Sequence, residues 1–397
     1  MSAGVRSNSA SNRVWAEVRL GTLQKNLQSI HGLLRREGAG QSPKVLAVIK
    51  ANAYAHGAVP VAKALAEAGA DWFGVACVSE GVELRDRGIR QPILLLGGYA
   101  PGEEREVIEF GLTPTIVRCQ QLGPLEKAAK RSKSRKEKLV SIQLKINTGM
   151  NRMGIAPWDI KCFAGALADC TRLKLVGTFT HFASSELLDN GQTEEQMNLF
   201  AIALDEMERL RLAPGLRHLA NSAALMARPD TWADMVRPGA VLYGCPMRFE
   251  PPARQKELEE RLQLKQVLSL RSRIVAVRDL PAGASVGYGA KYVTHKPTRI
   301  AIVSIGYADG LMRGLSNQGY LLVKGKKAPI VGQISMDMTM IDITKVRDSN
   351  VGDVVTIFGD DHGVLQTAGE IAETLGTVVQ DVLCALGRRV ERIYLPD

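Results

Sequence analysis

Along the first two thirds of the chain, short apolar runs alternate with segments in which apolar residues recur every three or four positions. The runs are typical of buried strands, and the longer period is typical of amphipathic helices. The runs predict strands at Val45–Lys50, Trp72–Cys77, Ile93–Leu96, Thr113–Val117, Val140–Ile146, Leu175–Thr180, Leu216–Ala220 and Met235–Tyr243. The helical pattern predicts helices between them, including Ala58–Ala68, Ser79–Asp86, Glu103–Glu109 and Glu194–Leu212.

This alternation predicts an α/β fold whose N-terminal part is a parallel (β/α)8 TIM-type barrel over residues 14–250. An open doubly wound sheet competes with it, but that fold needs a glycine-rich turn after its first strand. The first predicted strand is followed instead by Lys50-Ala51-Asn52. Residues 1–13 are polar and rich in Ser and Asn, which predicts a disordered N-terminal tail.

Beyond residue 251 the pattern changes to short strands separated by turn residues, which predicts a mainly β C-terminal domain over residues 251–397. One helix, Thr367–Leu375, is expected there before a last pair of strands. The predicted strands are Leu268–Val277, Ser285–Tyr288, Arg299–Ile305, Tyr320–Val323, Ala328–Ile334, Thr339–Asp342 and Val354–Phe358.

The composition of the chain argues against several classes of function. No apolar stretch approaches the roughly 18–20 residues that span a bilayer, so no membrane partner is expected.

The 6 cysteines lack metal-ligand spacing, which argues against a zinc site or disulfide framework and fits a reducing cytoplasm. The net charge of +10 could suggest nucleic acid, but the densest basic run, Lys127 to Lys138, contains no aromatic residue for base stacking. The run is better interpreted as a solvated helix end or loop, and a basic protein would also attract anionic small-molecule substrates.

Lys50 ends the first predicted strand and opens the loop that contains Tyr54. An amine at the end of a buried strand is partly desolvated, which favours the neutral form that can form a Schiff base with a carbonyl group. The alternative is a lysine that ends a strand and extends into solvent. The rest of the chain must decide between these interpretations.

Further polar segments follow the later strands, at the face where barrel enzymes keep their chemistry. They are Leu144–Gly154, Thr180–Ser184, Ala220–Ser222 and Val236–Gly239. Taken singly, His181 could be a core histidine, Asn221 a helix N-cap and Arg152 a surface ion-pair partner. Barrel loops after strands seven and eight often bind phosphate, and Ser222 with the backbone near Gly239 supplies donors. Phosphate opposite a strand-one lysine points to pyridoxal 5′-phosphate (PLP).

These segments, in this order, resemble the alanine racemases. The resemblance runs from Trp15 to Tyr394 and also includes Trp15–Val18 and Gly306–Gly310. It implies a PLP-binding barrel followed by a β domain, in a homodimer with shared active sites. The implied reaction is the interconversion of L-alanine and D-alanine, which supplies D-alanine for peptidoglycan.

The resemblance also implies roles for individual residues. Lys50 would hold PLP as a Schiff base and act as one base, and Tyr288 of the partner subunit would act on the opposite face of the substrate Cα. Arg237 would donate to the pyridine nitrogen, and His181 would link Arg237 with Tyr288. Contacts to the rest of the cofactor would come from Tyr54, Arg152, Asn221, Ser222 and Gly239. Substrate contacts would come from Arg152, Tyr307 and Met336, and Lys145 matches a lysine that many members carry as a carbamate.

Three positions depart from the family pattern. Ala55 stands where glycine is usual, and Asn147 stands where aspartate is common, which weakens the expectation of a carbamate on Lys145. Gln380 replaces a tyrosine that bounds the pocket, so serine or a broader range of amino acids is the alternative substrate class. Two other functions compete: a PLP-dependent amino-acid decarboxylase, which should place an acid where Arg237 stands, and a non-catalytic PLP-binding barrel, which should lack the second domain.

Overall fold

The computed structural model describes residues 12–38, 42–132, 139–245 and 247–396. The chain forms two compact units. One comprises residues 23–53 and 58–264, and the other comprises the N-terminal segment through Thr22, residues 54–57 and the chain from Lys265 onward. Part of the predicted basic run, residues 133–138, lies outside the described residues.

The first unit contains the predicted barrel. Its parallel strands are Lys44–Val48, Trp72–Val75, Ile93–Leu95, Thr113–Ile116, Val140–Lys145, Leu173–Phe179, Leu216–His218 and Met235–Val236. The first strand pairs with both the second and the last. The last two strands are joined by backbone hydrogen bonds from Asp234 to Arg217 (2.9 Å) and from Arg237 to Ala220 (3.0 Å). The sheet therefore closes, and the prediction of a (β/α)8 barrel is confirmed.

Helices follow the strands and cover the barrel. They are Leu20–Glu37, Ala58–Glu67, Val78–Asp86, Glu104–Glu109, Leu122–Arg131, Ile160–Ala168, Gln192–Arg209, Ser222–Ala227 and Gln255–Arg261. The first shows the expected periodicity, because Leu23, Leu27, Ile30 and Leu34 lie on one face and are fully buried. Burial of each such side chain contributes about 1.5–3 kcal/mol. Among the described residues, no helix is both long and apolar enough to cross a membrane.

The second unit is mainly β. Its strands are Val14–Arg19, Leu268–Leu280, Thr298–Val303, Tyr320–Val323, Lys326–Pro329, Thr339–Asp342, Val354–Asp361, Val364–Gln366 and Glu391–Leu395. The long strand Leu268–Leu280 organises the sheet, because it pairs with Val14–Arg19, Thr298–Val303 and Val354–Asp361. Two helices, Ala368–Leu375 and Val379–Cys384, precede the last strand.

Two predictions about the chain's N-terminal part are corrected by the structure. Strand Val14–Arg19, which the sequence placed in the barrel domain, pairs in the second sheet. Arg13 was assigned to a disordered tail, but its Nη2 lies 3.0 Å from Oδ2 of Asp309. Residues 1–11 lie outside the described residues.

Three predicted elements also differ. Ser285–Tyr288 is not a strand, because Gly287 has φ 71° and only Ser285 forms a bridge, to Val293. The last barrel strand stops at Val236, and a 3-10 turn, Ala240–Tyr243, replaces its predicted extension. Instead of one helix and a strand pair, the C-terminus has the additional helix Val379–Cys384 and a single strand.

Candidate active site

Lys50 follows the first barrel strand, as predicted, and is half-buried. The next five residues, Ala51 to Ala55, all have φ between 52° and 65°. This is a left-handed turn, which costs non-glycine residues roughly 1–2 kcal/mol each. Such strain persists only where surrounding contacts fix the backbone. The conformation of Lys50 and Tyr54 is therefore imposed by neighbouring groups.

Side chains from the barrel unit hold the start of this turn. The Glu80 carboxylate accepts hydrogen bonds from the backbone of Ala51 (2.6 Å) and Ala76 (2.7 Å). Asn52 Oδ1 accepts from the backbone of Ala58 at 2.7 Å. In the second unit, Arg392 Nε donates to the carbonyl of Ala55 at 3.0 Å. Backbone groups that a right-handed helix would pair internally are satisfied here by these side chains.

Arg237 is buried at the end of the last barrel strand and makes the densest set of hydrogen bonds in the site. Its Nη1 donates to the carbonyl of His218 (2.8 Å) and to Nδ1 of the same residue (3.0 Å). Its Nη2 donates to the carbonyls of Thr180 (2.7 Å) and Leu219 (2.9 Å) and lies 3.4 Å from Nδ1 of His181. Burial lowers the pKa of Arg237 to about 9, so the guanidinium stays charged at neutral pH.

His181 and His218 flank this guanidinium as neutral imidazoles. Burial, followed by the charge of Arg237, holds the pKa of each histidine well below its ordinary value. The pKa of His181 is lowered further by the charges of Lys145, Arg152 and Lys50. The structure thus brings these four predicted cations within electrostatic range of one histidine.

Lys145, at the end of the fifth strand, is buried, and its Nζ lies 5.6 Å from the centre of the Phe179 ring. Burial, with the charges of Arg152, Arg237 and Lys50, lowers the pKa of Lys145 to about 8. A sizeable fraction of this amine is therefore neutral near physiological pH. Neutral amines are nucleophiles, so Lys145 has the reactivity that carbamate formation needs.

The loop that carries Arg152 is organised by Asn147. Oδ1 of Asn147 accepts from the backbone of Gly149 (3.3 Å) and Asn151 (3.0 Å), and its Nδ2 donates to Oδ1 of Asn151 (3.0 Å). Arg152 itself is exposed. Asn147 departs from the family pattern, but its side-chain amide still organises the loop through these hydrogen bonds.

Gln196, from helix Gln192–Arg209, ties the loops after strands five and six together. Its Nε2 donates to Thr148 Oγ1 (3.1 Å) and to the carbonyl of His181 (3.0 Å), and its Oε1 accepts from the backbone of Ala183 (2.9 Å). Gln196 is buried with its amide satisfied at both ends. It holds the backbone of His181 in place.

Asn221, Ser222 and Gly239 lie together after strands seven and eight. Asn221 caps helix Ser222–Ala227, because its Oδ1 accepts from the backbone of Ala224 at 3.0 Å. The N-cap alternative is therefore confirmed for Asn221. Ser222 Oγ accepts from the backbone of Gly239 at 2.9 Å. That contact uses an oxygen lone pair and leaves the Ser222 hydroxyl hydrogen able to donate to a ligand.

In the second unit, the structure leaves three predicted residues accessible. Tyr288 is 74%, Tyr307 45% and Met336 53% exposed, although all three are large apolar side chains. Gly306 lets the turns that carry Tyr307 and Met336 pack closely, since a Cβ there would lie 2.3 Å from the Met336 carbonyl oxygen. Gln380 is half-buried in helix Val379–Cys384.

The sequence did not single out Gln143, Phe179, Gln196 or His218. Gln143 and His218 each interrupt an apolar strand with a polar residue, and this was the signal that could have revealed them. Both are fully buried in the barrel. Within the described parts of the chain, no group of three or more His, Cys, Asp or Glu residues could hold a metal ion.

Comparison with known proteins gives a consistent result. The family model for the N-terminal domain of alanine racemase matches residues 18–246, and the model for the C-terminal domain matches residues 267–394. An alanine racemase of Halothermothrix orenii is 38% identical over 380 residues, with 96% of each chain covered. Alanine racemase 2 of Caldanaerobacter subterraneus subsp. tengcongensis is 39% identical over 382 residues, again with 96% of each chain covered.

Solved structures agree. Alanine racemase of Clostridium difficile 630 has a TM-score of 0.87 at 34% identity, covering 98% of this chain and 97% of its own. Alanine racemase of Bacillus anthracis with bound L-Ala-P has a TM-score of 0.85 at 30% identity, covering 97% of this chain and 96% of its own. The chain therefore belongs to the alanine racemase family, the isomerases that interconvert L-alanine and D-alanine.

Proposed function

We propose that this chain racemises alanine with PLP held by Lys50, and that Lys50 and Tyr288 of a second subunit act on opposite faces of the substrate. One arrangement carries the proposal: the Arg237 guanidinium lies 3.4 Å from Nδ1 of the half-buried His181, and Lys145 and Arg237 both approach the Phe179 ring. The charges of Lys50 and Arg152 also lower the pKa of His181. A cationic, partly dry site of this kind matches an anionic phosphate cofactor and an amino-acid carboxylate.

Arg237 offers a donor suited to the cofactor ring. Its four Nη N–H groups are used by His218, Thr180 and Leu219, and one on Nη2 is shared with Nδ1 of His181 at 3.4 Å. The remaining one, on Nε, has no partner among the described residues, which leaves it for the pyridine nitrogen. Because a guanidinium does not readily give up its proton, the ring nitrogen opposite it should stay unprotonated.

The other contacts fit the same group. The Lys50 amine would hold PLP covalently, and the free Ser222 hydroxyl hydrogen would donate to its phosphate, beside Gly239 and Asn221. Tyr54 is proposed as a further phosphate contact from the family resemblance. When bound, PLP withdraws electrons from the substrate and makes its Cα proton acidic. An acidic residue in place of Arg237 would suit a decarboxylase, and none is present there.

Racemisation needs proton transfer on both faces of Cα, because one base alone tends to return the proton to the face it came from. The Lys50 amine serves one face and the Tyr288 hydroxyl serves the other. His181 accepts from Arg237 through Nδ1, so its Nε2–H is available to orient the tyrosine oxygen. Arg152 would hold the substrate carboxylate.

The second subunit is proposed from surface exposure. Tyr288, Tyr307 and Met336 present large side chains to solvent from the mainly β unit. Large exposed apolar side chains are typical of interaction surfaces. We assign this surface to a homodimer in which these three residues complete the active site of the other copy.

Lys145 is proposed as a carbamate. Its neutral amine would add to CO2 and release a proton, which replaces a cation by an anion between Arg152 and Arg237. Intact-protein mass spectrometry under 13CO2, after trapping of the carbamate as an ester, would detect the modification at Lys145. A bare amine at saturating bicarbonate would contradict it.

Chiral chromatography tests the activity itself. Purified protein loaded with PLP should convert L-alanine to an equal mixture of the two isomers, and absence of D-alanine would overturn the proposal. L-serine serves as the second substrate, because Gln380 could enlarge the pocket. A D-serine rate comparable with the D-alanine rate would favour the broad-specificity alternative.

The physiological role proposed is supply of D-alanine for peptidoglycan in the cytoplasm. All 6 cysteines are free thiols, which fits a reducing compartment. Expression of the chain in a bacterial D-alanine auxotroph should restore growth without added D-alanine. Failure to do so with an active, expressed protein would contradict the biosynthetic role.

A further inference from the structure

We infer that Gln143 and His218 form a positioning chain behind Arg237, in which Gln143 fixes His218 as the neutral tautomer that accepts a hydrogen bond from the guanidinium. The inference rests on the proposed function only in that Arg237 serves the cofactor. Neither residue reaches the substrate in this assignment, so both act through Arg237.

The chain of contacts is continuous through the barrel. His218 Nε2 lies 2.8 Å from Gln143 Oε1, and its Nδ1 lies 3.0 Å from Arg237 Nη1. Both Gln143 and His218 have no solvent exposure. Strand Val140–Lys145 and strand Leu216–His218 are separated by strand Leu173–Phe179, so the contact crosses the barrel interior.

The hydrogen-bond partners define the tautomer of His218. Arg237 can only donate, so Nδ1 of His218 must be the unprotonated acceptor. The proton of the neutral ring then lies on Nε2, which donates to Gln143 Oε1. A protonated His218 would bring an N–H against the N–H of Arg237 and place two positive charges in contact. The lowered pKa of His218 agrees with the neutral form.

Ring packing fixes the orientation of the imidazole. Phe179 stacks on His218 with centroids 4.7 Å apart and planes 10° apart. The Arg237 guanidinium carbon also lies 5.3 Å from the centre of the Phe179 ring. His218 therefore cannot turn to exchange its two nitrogens without displacing Phe179.

Gln143 contributes through one end of its amide. Its Oε1 contacts His218, whereas its Nε2 has no partner among the described residues. A core position that needed only volume would be filled by an apolar side chain, because an unpaired buried amide is costly. The register partner on the adjacent strand, Thr115, is also buried, and its Oγ1 has no partner among those residues either. Thr115 thus supplies a matched control, because it is the register partner of Gln143 and its hydroxyl bonds to neither His218 nor Arg237.

Histidine 15N NMR on the full chain tests the tautomer directly. Uniformly 15N-histidine-labelled protein at neutral pH, with and without PLP, should show His218 with Nε2 protonated and Nδ1 bare. The His218→Gln variant identifies its signals. A His218 signal from the imidazolium or from the Nδ1–H tautomer would overturn the inference. This readout needs no turnover, so absence of D-alanine would refute the proposed function and leave the tautomer result standing.

Two variants test the consequence for Arg237. Gln143→Glu places a carboxylate against Nε2 and should convert His218 to the imidazolium, which displaces Arg237. The ratio of pyruvate formed by side transamination to D-alanine formed should then rise about tenfold, while KM stays within about twofold. Gln143→Met removes the acceptor without adding charge and should lower kcat about three- to tenfold.

Thr115→Val should leave the product ratio and the His218 spectrum unchanged. A neutral His218 and a wild-type product ratio in folded Gln143→Glu would contradict the positioning role. If Gln143→Glu does not fold, the tautomer in the unsubstituted chain and the kcat of Gln143→Met still decide the question.

Discussion

Arg389 Nε lies 2.7 Å from Oδ1 of the buried Asp309, and this ion pair joins the two turns that carry Tyr307 and Met336. The same carboxylate accepts from the backbone of Gly306 at 3.0 Å, and Arg389 Nη2 lies 3.4 Å from the Met336 carbonyl oxygen. Two exposed side chains that are proposed to serve another subunit thus stand on turns fixed by one buried charge.

Asp309→Asn should therefore loosen both turns. Loss of the charge removes the buried partner that Arg389 and Arg13 share and weakens the bond to the Gly306 backbone. We expect a decrease in melting temperature on the order of 5 °C and a larger effect on KM for alanine than on kcat. Asp337→Asn is the control, because Asp337 pairs with the same two arginines but its side chain is 42% exposed, so its ion pairs should matter less. Equal effects of the two substitutions would contradict this account of the turns.

Ala55→Gly should stabilise the protein. Ala55 has φ 65°, at the end of the left-handed turn that follows Lys50. Glycine adopts this conformation without the steric cost that alanine meets, so the free energy of unfolding should rise by about 1 kcal/mol. Urea denaturation of the variant and the parent measures the difference.

Ala66→Gly is the matched control for this substitution. Ala66 lies in helix Ala58–Glu67, where the same change should lower the free energy of unfolding by up to about 1 kcal/mol. If both substitutions changed the free energy of unfolding in the same direction, relief of left-handed strain at Ala55 would not explain the effect.

Arg237→Glu should raise side transamination. An acidic partner would let the cofactor's ring nitrogen hold a proton, which strengthens the ring as an electron sink and lengthens the lifetime of charge on the substrate. We expect kcat for racemisation to fall about 100-fold and the ratio of pyruvate to D-alanine to rise. Arg237→Lys is the control, because it keeps the charge and should lower kcat without raising that ratio. An unchanged ratio in Arg237→Glu would contradict the selectivity argument.

His218 should make the fold sensitive to acid. Because burial holds its pKa well below the ordinary value in the folded chain, the unfolded chain binds a proton first as the pH falls below about 6.5. Below that pH, the free energy of unfolding should therefore fall by up to about 1.4 kcal/mol per pH unit. His218→Asn should reduce the slope of unfolding free energy between about pH 6.5 and 5. The exposed His295, changed to Asn, is the control, and an equal change of slope in both variants would contradict the assignment to His218.

The barrel was predictable because its strands are buried on both faces and appear as apolar runs, such as the one that ends at Lys50. The face that holds the candidate active site was predicted from the rule that parallel strands end together. The left-handed turn after Lys50 was not predictable, because alanine gives no local signal for positive φ. Glu80 and Asn52 impose it through contacts made only in the folded chain.

Other features depend on pairing across the chain. Val14–Arg19 pairs with strand Leu268–Leu280, more than 200 residues away. The local sequence of Val14–Arg19 does not reveal this partner or the pairing register. The Gln143–His218 contact spans 75 residues. Each residue alone looks like a polar interruption of a strand, and only barrel closure brings the two together against Arg237.

We propose that each active site combines Lys50 of one subunit with Tyr288 of another, and subunit mixing is the direct test. Lys50→Ala and Tyr288→Phe are each expected to be inactive as pure dimers. In a mixed dimer, one site lacks both residues and the other has both intact. After exchange of equal amounts of the two variants, the account predicts about a quarter of the unsubstituted activity in D-alanine formation. A mixture that exchanges subunits but is no more active than its separate components would contradict it.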